Sequence, residues 1–189
     1  VMREALALGG DEAYAVVDDS LIPGEVSQTA EVLATLIRKV GEPELILTGE
    51  ASMDMLTSQL PIRLAYKLGY SVATFARKIE LEGDKLRVTR DLEDRLEVTE
   101  IRLPAVVSVT GEINSPRLPT LLQIRKSFAK PYNIFKLSDL EGEVKKLINI
   151  SKLELVTIMR KNVIIEADKL EETAEELINK LIEEGVIRV

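Results

Sequence analysis

Apolar positions recur along this chain with two different periods, and the change of period divides it into regions. Val32, Leu33, Leu36, Ile37 and Val40 fall at three- and four-residue spacing, which predicts a helix ended by Gly41 and Pro43. Leu45, Ile46 and Leu47 form a short unbroken apolar run, the pattern of a parallel strand buried on both faces. Gly49 lets the chain turn sharply at the end of that strand. Beyond it Thr57 or Ser58 is the expected N-cap of a helix that tolerates Pro61 in its first turn. Leu60, Leu64, Ala65 and Leu68 give this helix one apolar stripe, ending at Gly69. Upstream, Arg3 to Leu8 reads as the last turns of a helix closed by Gly9 and Gly10, and Ala13 to Val17 as the strand after it. The order helix end, strand, helix, strand, helix is that of parallel α/β winding. Because the chain opens on a helix remnant, further residues are expected to precede it in the intact protein.

From Val72 to Leu103 the period becomes two. Ala73, Phe75 and Ile79, then Leu86 and Val88, then Leu96, Ile101 and Leu103 alternate with polar residues. Glu82 to Lys85 and Asp91 to Asp94 are the turns, so antiparallel hairpins with one solvated face are expected here. Lys85, Arg87, Arg90, Asp91, Glu93 and Asp94 are most simply the charged residues of that face. Pro104 leads into Ala105–Val109, a second buried strand followed by Gly111.

After that strand, Pro116 and Pro119 stiffen an exposed loop, and Thr120 to Phe128 reads as a short helix presenting Arg125 and Lys126. Leu121 and Leu122 at its start are either a docking knob or buried packing residues. Tyr132 to Leu137 is a further strand, and Ser138 to Ile148 a capped helix or irregular chain. Leu153 to Ile158 and Val163 to Ile165 are strand-like. Leu170, Ala174, Leu177, Ile178 and Leu181 mark a final acidic helix starting near Asp168. That tail either closes the sheet or embraces a partner.

Composition narrows the chemistry. The chain has 189 residues, enough for a full core, and no cysteine or histidine. Disulfides, thiolate metal sites and the usual general base are therefore absent, and no metal site is expected. A net charge of −7 argues against a general nucleic-acid binder. No apolar run approaches the ~20 residues that span a bilayer, and no signal-peptide pattern opens the chain. A cytoplasmic protein not embedded in a membrane is expected. Abundant Leu, Ile, Val, Glu and Lys without Cys, His or Trp is a composition favoured in thermophiles.

In open parallel sheets ligands sit at the carboxyl ends of strands, and a helix start attracts phosphate. Ser52 to Gln59 is accordingly a candidate nucleotide loop. The plainer alternative is an ordinary strand-to-helix connection whose Ser and Thr residues only cap the helix.

Four stretches then carry a collinear resemblance. They are REALALGGDEAYAV at Arg3–Val16, GEASMDMLTSQLP at Gly49–Pro61, LEGDKLRVTRDLEDRLEVTEIRLPAVVSV at Leu81–Val109 and SPRLPTLLQIRKS at Ser115–Ser127. Together they resemble the β-subunit of electron-transfer flavoproteins. The third stretch resembles the family signature, with Arg90, Glu93-Asp94, Glu97 and Pro104-Ala105-Val106-Val107 in order. The resemblance implies an α/β fold: a parallel, Rossmann-like (adenine nucleotide α-hydrolase-like) nucleotide-binding sheet flanked by helices, with an antiparallel hairpin insertion and a C-terminal helical arm. It divides the chain into a nucleotide-binding domain at 1–137 and an extension at 138–189 that packs on a partner.

The resemblance further implies a heterodimer with an α-subunit that holds most of a shared FAD. The β-chain itself holds AMP or, in electron-bifurcating members, a second FAD. Electrons arrive from flavin dehydrogenases such as acyl-CoA dehydrogenases and leave towards a quinone reductase, and the subunit catalyses no reaction of its own. Carried onto this sequence, the nucleotide loop falls on Ser52, Asp54, Ser58, Gln59 and Leu60, with Thr57 beside them. Met55 and Leu56 stand where the family often has acidic residues. Leu121 falls on the leucine that anchors into a dehydrogenase, with Leu122 beside it and Arg125 and Lys126 on its basic flank. Asp91 falls on an acidic residue that pairs with an arginine of the flavin domain and biases its orientation. A stand-alone nucleotide-binding regulator and an enzyme acting on a nucleotide are the competing readings. The first lacks a glycine-rich loop and the second a nucleophile–base pair.

Overall fold

The computed structural model describes residues 1–22, 24–53, 55–142, 144, 147–148, 151–152, 154–155, 157, 160–165 and 169–187. The chain forms two compact units, Val1–Asn149 and Ile150–Val189. The first opens with helix α1 (Met2–Leu8), closed by Gly9, and strand β1 (Ala13–Val16). Helix α2 (Val26–Val40) buries Ala30, Val32, Ala34 and Leu36 and ends on Arg38 and Lys39, whose charges suit the negative end of its dipole. Strand β2 (Leu45–Gly49) and helix α3 (Leu60–Leu68) follow. Gly69 closes α3 in the left-handed conformation, φ 74°, that a C-cap glycine permits.

Strands β3 (Ser71–Glu82), β4 (Lys85–Asp91) and β5 (Leu96–Arg102) form the antiparallel meander expected from the period-two region. Strand β6 (Ala105–Val109) then inserts between β2 and β3, parallel to both, giving the order β2-β6-β3-β4-β5. Leu45 and Ser71 both pair with Ala105. The result is a mixed α/β sheet whose parallel half is wound through α3, as the alternation of elements demanded. Ala105, Val106, Val107 and Ser108 are buried, so the unbroken apolar pattern of β6 is that of a central strand. The identical reasoning fails for β2. It lies at the sheet edge, and Leu47 is 57% exposed.

Two further expectations are corrected by this region. The alternation through Ala73 and Phe75 is broken by a β-bulge between Ala73 and Ala76, with Phe75 at φ 59°. Ala73 and Ala76 therefore both enter the core, with Leu86, Val88, Ala105 and Val107. Arg90 is not a solvated charge of the hairpin. Its Nε donates to the Thr74 carbonyl at 2.9 Å, its Nη2 to Thr74 Oγ1 at 3.1 Å and its Nη1 to Glu97 at 2.6 Å. It binds the β4–β5 hairpin to the bulged segment of β3.

Helix α4 (Leu121–Ser127) and strand β7 (Tyr132–Phe135) complete the first unit. Strand β7 pairs in parallel with β1, Ala13 opposite Tyr132, in a separate two-stranded sheet. Phe135 and Val16 of that sheet pack on Val32, Leu36 and Leu140. The chain from Ser138 makes a single helical turn at Leu137–Asp139 and no longer helix among the described residues. In the second unit, helix α5 (Leu170–Glu183) carries the apolar stripe read from the sequence. Val163 to Ile165 are not a strand. Of the expected strand at Leu153–Ile158, Leu153, Val156 and Ile158 lie outside the described residues, as does the helix start at Asp168, and Glu154, Leu155 and Thr157 are not in a strand. No helix of the described residues is long and apolar enough to cross a membrane.

Candidate functional site

At the carboxyl end of β2 the chain opens a cavity of about 390 Å³, within the ~300–1,000 Å³ common for small-molecule sites. Three segments converge there. Thr48 to Ser52 leave the strand, Met55 and Thr57 to Pro61 cross into α3, and Gly24, Val26 and Thr29 come from the start of α2. Thus Ser52, Thr57, Ser58, Gln59 and Leu60 line one cavity, whereas Asp54 lies outside the described residues. Among the lining residues the hydroxyls of Thr29, Thr48, Ser52, Thr57 and Ser58 supply polarity, and none is Lys or Arg.

Two helix starts face this space, and they differ in one decisive way. At α2 the N-cap is Glu25, only 3% exposed, whose carboxylate accepts the N–H groups of Ser27, at 3.1 Å, and Gln28. That positive end is already filled by the protein's own anion. At α3 the N-cap is Gln59, not the expected Thr57 or Ser58, and its side chain makes no capping bond. Its Oε1 instead accepts from Arg63 Nε at 3.0 Å. The N–H groups of Leu60 and Ile62 have no partner among the described residues, and Pro61 has no N–H to satisfy. Ser58 takes φ 52° and Gln59 the αR region, so the backbone turns sharply just before the helix.

Gly24, Val26 and Thr29 contribute to the cavity from a separate segment far upstream, and nothing local in the sequence marks them. Gly24 has φ 79°, and a Cβ built on it would come within 2.8 Å of Met55 Cγ. The Met55 side chain lies directly over the glycine, so α2's approach and the loop share one wall. Arg63 was also missed; its signal is the i, i+4 spacing from Gln59.

The second candidate region is α4. Thr120 and Gln123 form a capping box, with the Thr120 N–H donating to Gln123 Oε1 at 2.8 Å and the Gln123 N–H to Thr120 Oγ1 at 3.3 Å. Leu121 is 87% and Leu122 60% exposed, so they are not buried packing residues of this chain. Arg125 and Lys126 are exposed in the last turn. Helix α4 packs on α1 through reciprocal cationic contacts. Arg3 of α1 donates from Nη1 to the Ser127 carbonyl at 2.9 Å. Lys130 returns bonds to the carbonyls of Leu6 and Gly10 at 3.1 and 2.6 Å, and Arg117 donates to that of Leu8.

Asp91 borders a second hollow with Glu50, Phe75, Glu93, Thr110 and Glu112, and its carboxylate accepts from Arg77 Nη1 at 3.2 Å. Glu50 also lines the nucleotide-sized cavity, so the two hollows adjoin along the carboxyl edge of the sheet. Among the described residues no cluster of acidic side chains is arranged to hold a metal.

Comparison with known proteins bears on the family of the chain. Residues 1–140 match the family model described as the electron transfer flavoprotein domain. The chain is 35% identical over 147 residues to the electron transfer flavoprotein subunit beta of Thermoanaerobacterium thermosaccharolyticum, covering 77% of this chain and 56% of that protein. It is 33% identical over 140 residues to the caffeyl-CoA reductase-Etf complex subunit CarD of Acetobacterium woodii, covering 74% and 53%. It is 35% identical over 127 residues to the electron transfer flavoprotein subunit beta of Megasphaera elsdenii, covering 64% and 47%. The chain thus spans about half the length of the curated relatives it matches. The α/β sheet, the collinear motifs and the match over residues 1–140 place the chain in the electron transfer flavoprotein beta-subunit family, to which it belongs.

Proposed function

We propose that this chain acts as the β-subunit of a heterodimeric electron carrier, in which FAD is held mainly by an α-subunit and a nucleotide, AMP, is held by the cavity at the end of β2. The observation that carries the reading is the contrast between the two helix starts: α2 is closed by the buried Glu25 carboxylate, and α3 is open. The phosphate receives the N–H groups of Leu60 and Ile62 and the hydroxyl of Ser58. The amide nitrogen of Gln59 remains a donor because Arg63 occupies its oxygen. Ser52 and Thr57 serve the sugar, and the apolar side formed by Val26 and Met55 suits the adenine ring. Asp54 belongs to the same loop. With no lysine or arginine among the described lining residues, binding depends on oriented backbone dipoles.

The bound FAD supplies the redox chemistry, taking electrons from a donor flavin and giving them to an acceptor. The β-chain supplies orientation and docking. Leu121 and Leu122 enter an apolar pocket of a flavin dehydrogenase, such as an acyl-CoA dehydrogenase, while Arg125 and Lys126 steer the encounter. The same carrier then delivers electrons towards a quinone reductase. Asp91 exchanges its Arg77 partner for an arginine of the flavin domain and so biases that domain's orientation. The extension at 138–189 packs on the α-subunit, and no reaction is catalysed by this chain itself.

The reading is tested by expressing the intact β-chain with and without its α-subunit. Flavin is expected only in the heterodimer, and that heterodimer is expected to be reduced by an acyl-CoA dehydrogenase. A β-chain that holds ATP alone and gains no flavin on coexpression supports the regulator instead.

A further inference from the structure

Helix α4 has only seven residues, far fewer than the ~12–15 a helix needs to persist in water on its own. Its exposed leucines point away from the protein, so they contribute no packing beneath it. Its carboxyl end is closed by main-chain bonds, Lys130 N–H to the Ser127 carbonyl at 3.3 Å among them, and is tied to α1 by Arg3. The guanidinium lies 4.4 Å from the ring centre of Tyr132 and 5.2 Å from that of Phe128, and Nη1 donates to the Ser127 carbonyl at 2.9 Å. One planar cation thus joins the last turn of α4 to the first residue of β7. Arg117 before α4 and Lys130 after it anchor the flanking chain to the carbonyl end of α1.

We infer that Arg3 is a positioning residue of the docking element: it holds α4 so that Leu121 and Leu122 are presented in one orientation to the electron donor. The inference rests on the docking role proposed above for those leucines. Arginine suits the task because its flat, delocalised cation stacks on an aromatic face while its edge donates a hydrogen bond. A lysine at position 3 keeps the charge and loses the simultaneous stack and in-plane bond.

The test compares Arg3→Ala, Arg3→Lys and Leu121→Ala in the intact heterodimer. The readouts are amide exchange across 121–128 and the apparent KM for the carrier as electron acceptor of an acyl-CoA dehydrogenase. Arg3→Ala is expected to speed exchange in α4 about tenfold, the order expected for losing a charged hydrogen bond. It also raises KM about tenfold at unchanged kcat and flavin content, as the knob loses its fixed presentation. Arg3→Lys recovers part of both effects. Leu121→Ala raises KM and leaves α4 exchange unchanged. If Leu121→Ala raises KM while Arg3→Ala leaves either KM or α4 exchange at the wild-type value, the positioning role is overturned and docking stands. If Leu121→Ala leaves KM unchanged, docking itself is overturned and the positioning role falls with it. Should Arg3→Ala yield no heterodimer, Arg3→Lys decides: wild-type exchange and KM overturn the inference, and intermediate values support it.

Discussion

Gln59→Asp separates the two properties that meet at the start of α3. An aspartate at the N-cap can accept the N–H groups that Gln59 leaves open, as Glu25 does at α2. The substitution therefore favours the helix and opposes a phosphate. The stabilising part is small. Gln59 sits at φ −92°, ψ −24°, and a capping residue prefers the extended region, so the gain is at most about 0.5 kcal/mol of the ~1 kcal/mol a good cap supplies. The opposing part is larger. Among the described residues the main-chain N–H groups of Leu60 and Ile62 are open in the first turn, and Pro61 has none. Charge-assisted bonds contribute about 1.5–3 kcal/mol each, so occupying one of them weakens nucleotide binding by roughly ten- to a hundredfold. The new carboxylate adds repulsion. Titration calorimetry of the nucleotide-depleted heterodimer with AMP measures the affinity, and urea denaturation of the same sample measures the stability. The expected pair is a midpoint equal to or above wild type with a strongly raised Kd. An unchanged Kd refutes the assignment of the phosphate to α3, because an anion bound there cannot ignore a second one in the same turn.

Other perturbations probe the surrounding structure. Gly24→Ala places a Cβ at φ 79° against Met55 and forces that side chain off the shared wall, so AMP affinity is expected to fall several-fold; retained affinity shows that the wall is not used. Arg90→Met leaves the Thr74 oxygens and Glu97 without their donor and is expected to lower stability by about 2–3 kcal/mol, read as a lower denaturation midpoint. Asp18 is held below the usual carboxylate range by the Ser20 hydroxyl first, then by the Ser20 and Leu137 N–H groups. A depressed carboxylate stabilises the fold above its unfolded pKa of ~3.9, and that contribution is lost as pH falls towards the folded value. Asp18→Asn should therefore flatten the loss of stability below about pH 4; an unchanged acid limb in the denaturation midpoint counts against the Asp18 bridge to Leu137.

Much of the fold was legible because period and punctuation agree locally. The stripe of α2, the left-handed Gly69 after α3, the hairpin turns and the unbroken run of β6 each follow from a few neighbouring residues. What the sequence did not reveal depends on partners distant in the chain. Leu47 has the pattern of a buried strand, but the order of strands puts β2 at an edge. The bulge at Ala73–Ala76 breaks an alternation that looks continuous on paper, and Arg90 turns inward to meet the Thr74 carbonyl within it. The same holds at the site. Ser52 to Leu60 could be read from a strand, a turn and a helix start, whereas Gly24 and Thr29 enter only because α2 packs beside α3. A glutamate N-cap is not a preferred capping residue, so the closing of α2 by Glu25, which leaves α3 as the open end, is visible only in three dimensions.

The central claim is that this chain is a nucleotide-holding carrier subunit, and it is tested most directly by purifying the intact heterodimer and identifying the nucleotides it releases on denaturation. The account predicts FAD and AMP in equal amounts, one of each per heterodimer, with AMP reduced in the Ser58→Ala, Gln59→Ala double variant. Two FAD and no AMP would contradict the AMP assignment, and a heterodimer without flavin would contradict the carrier role.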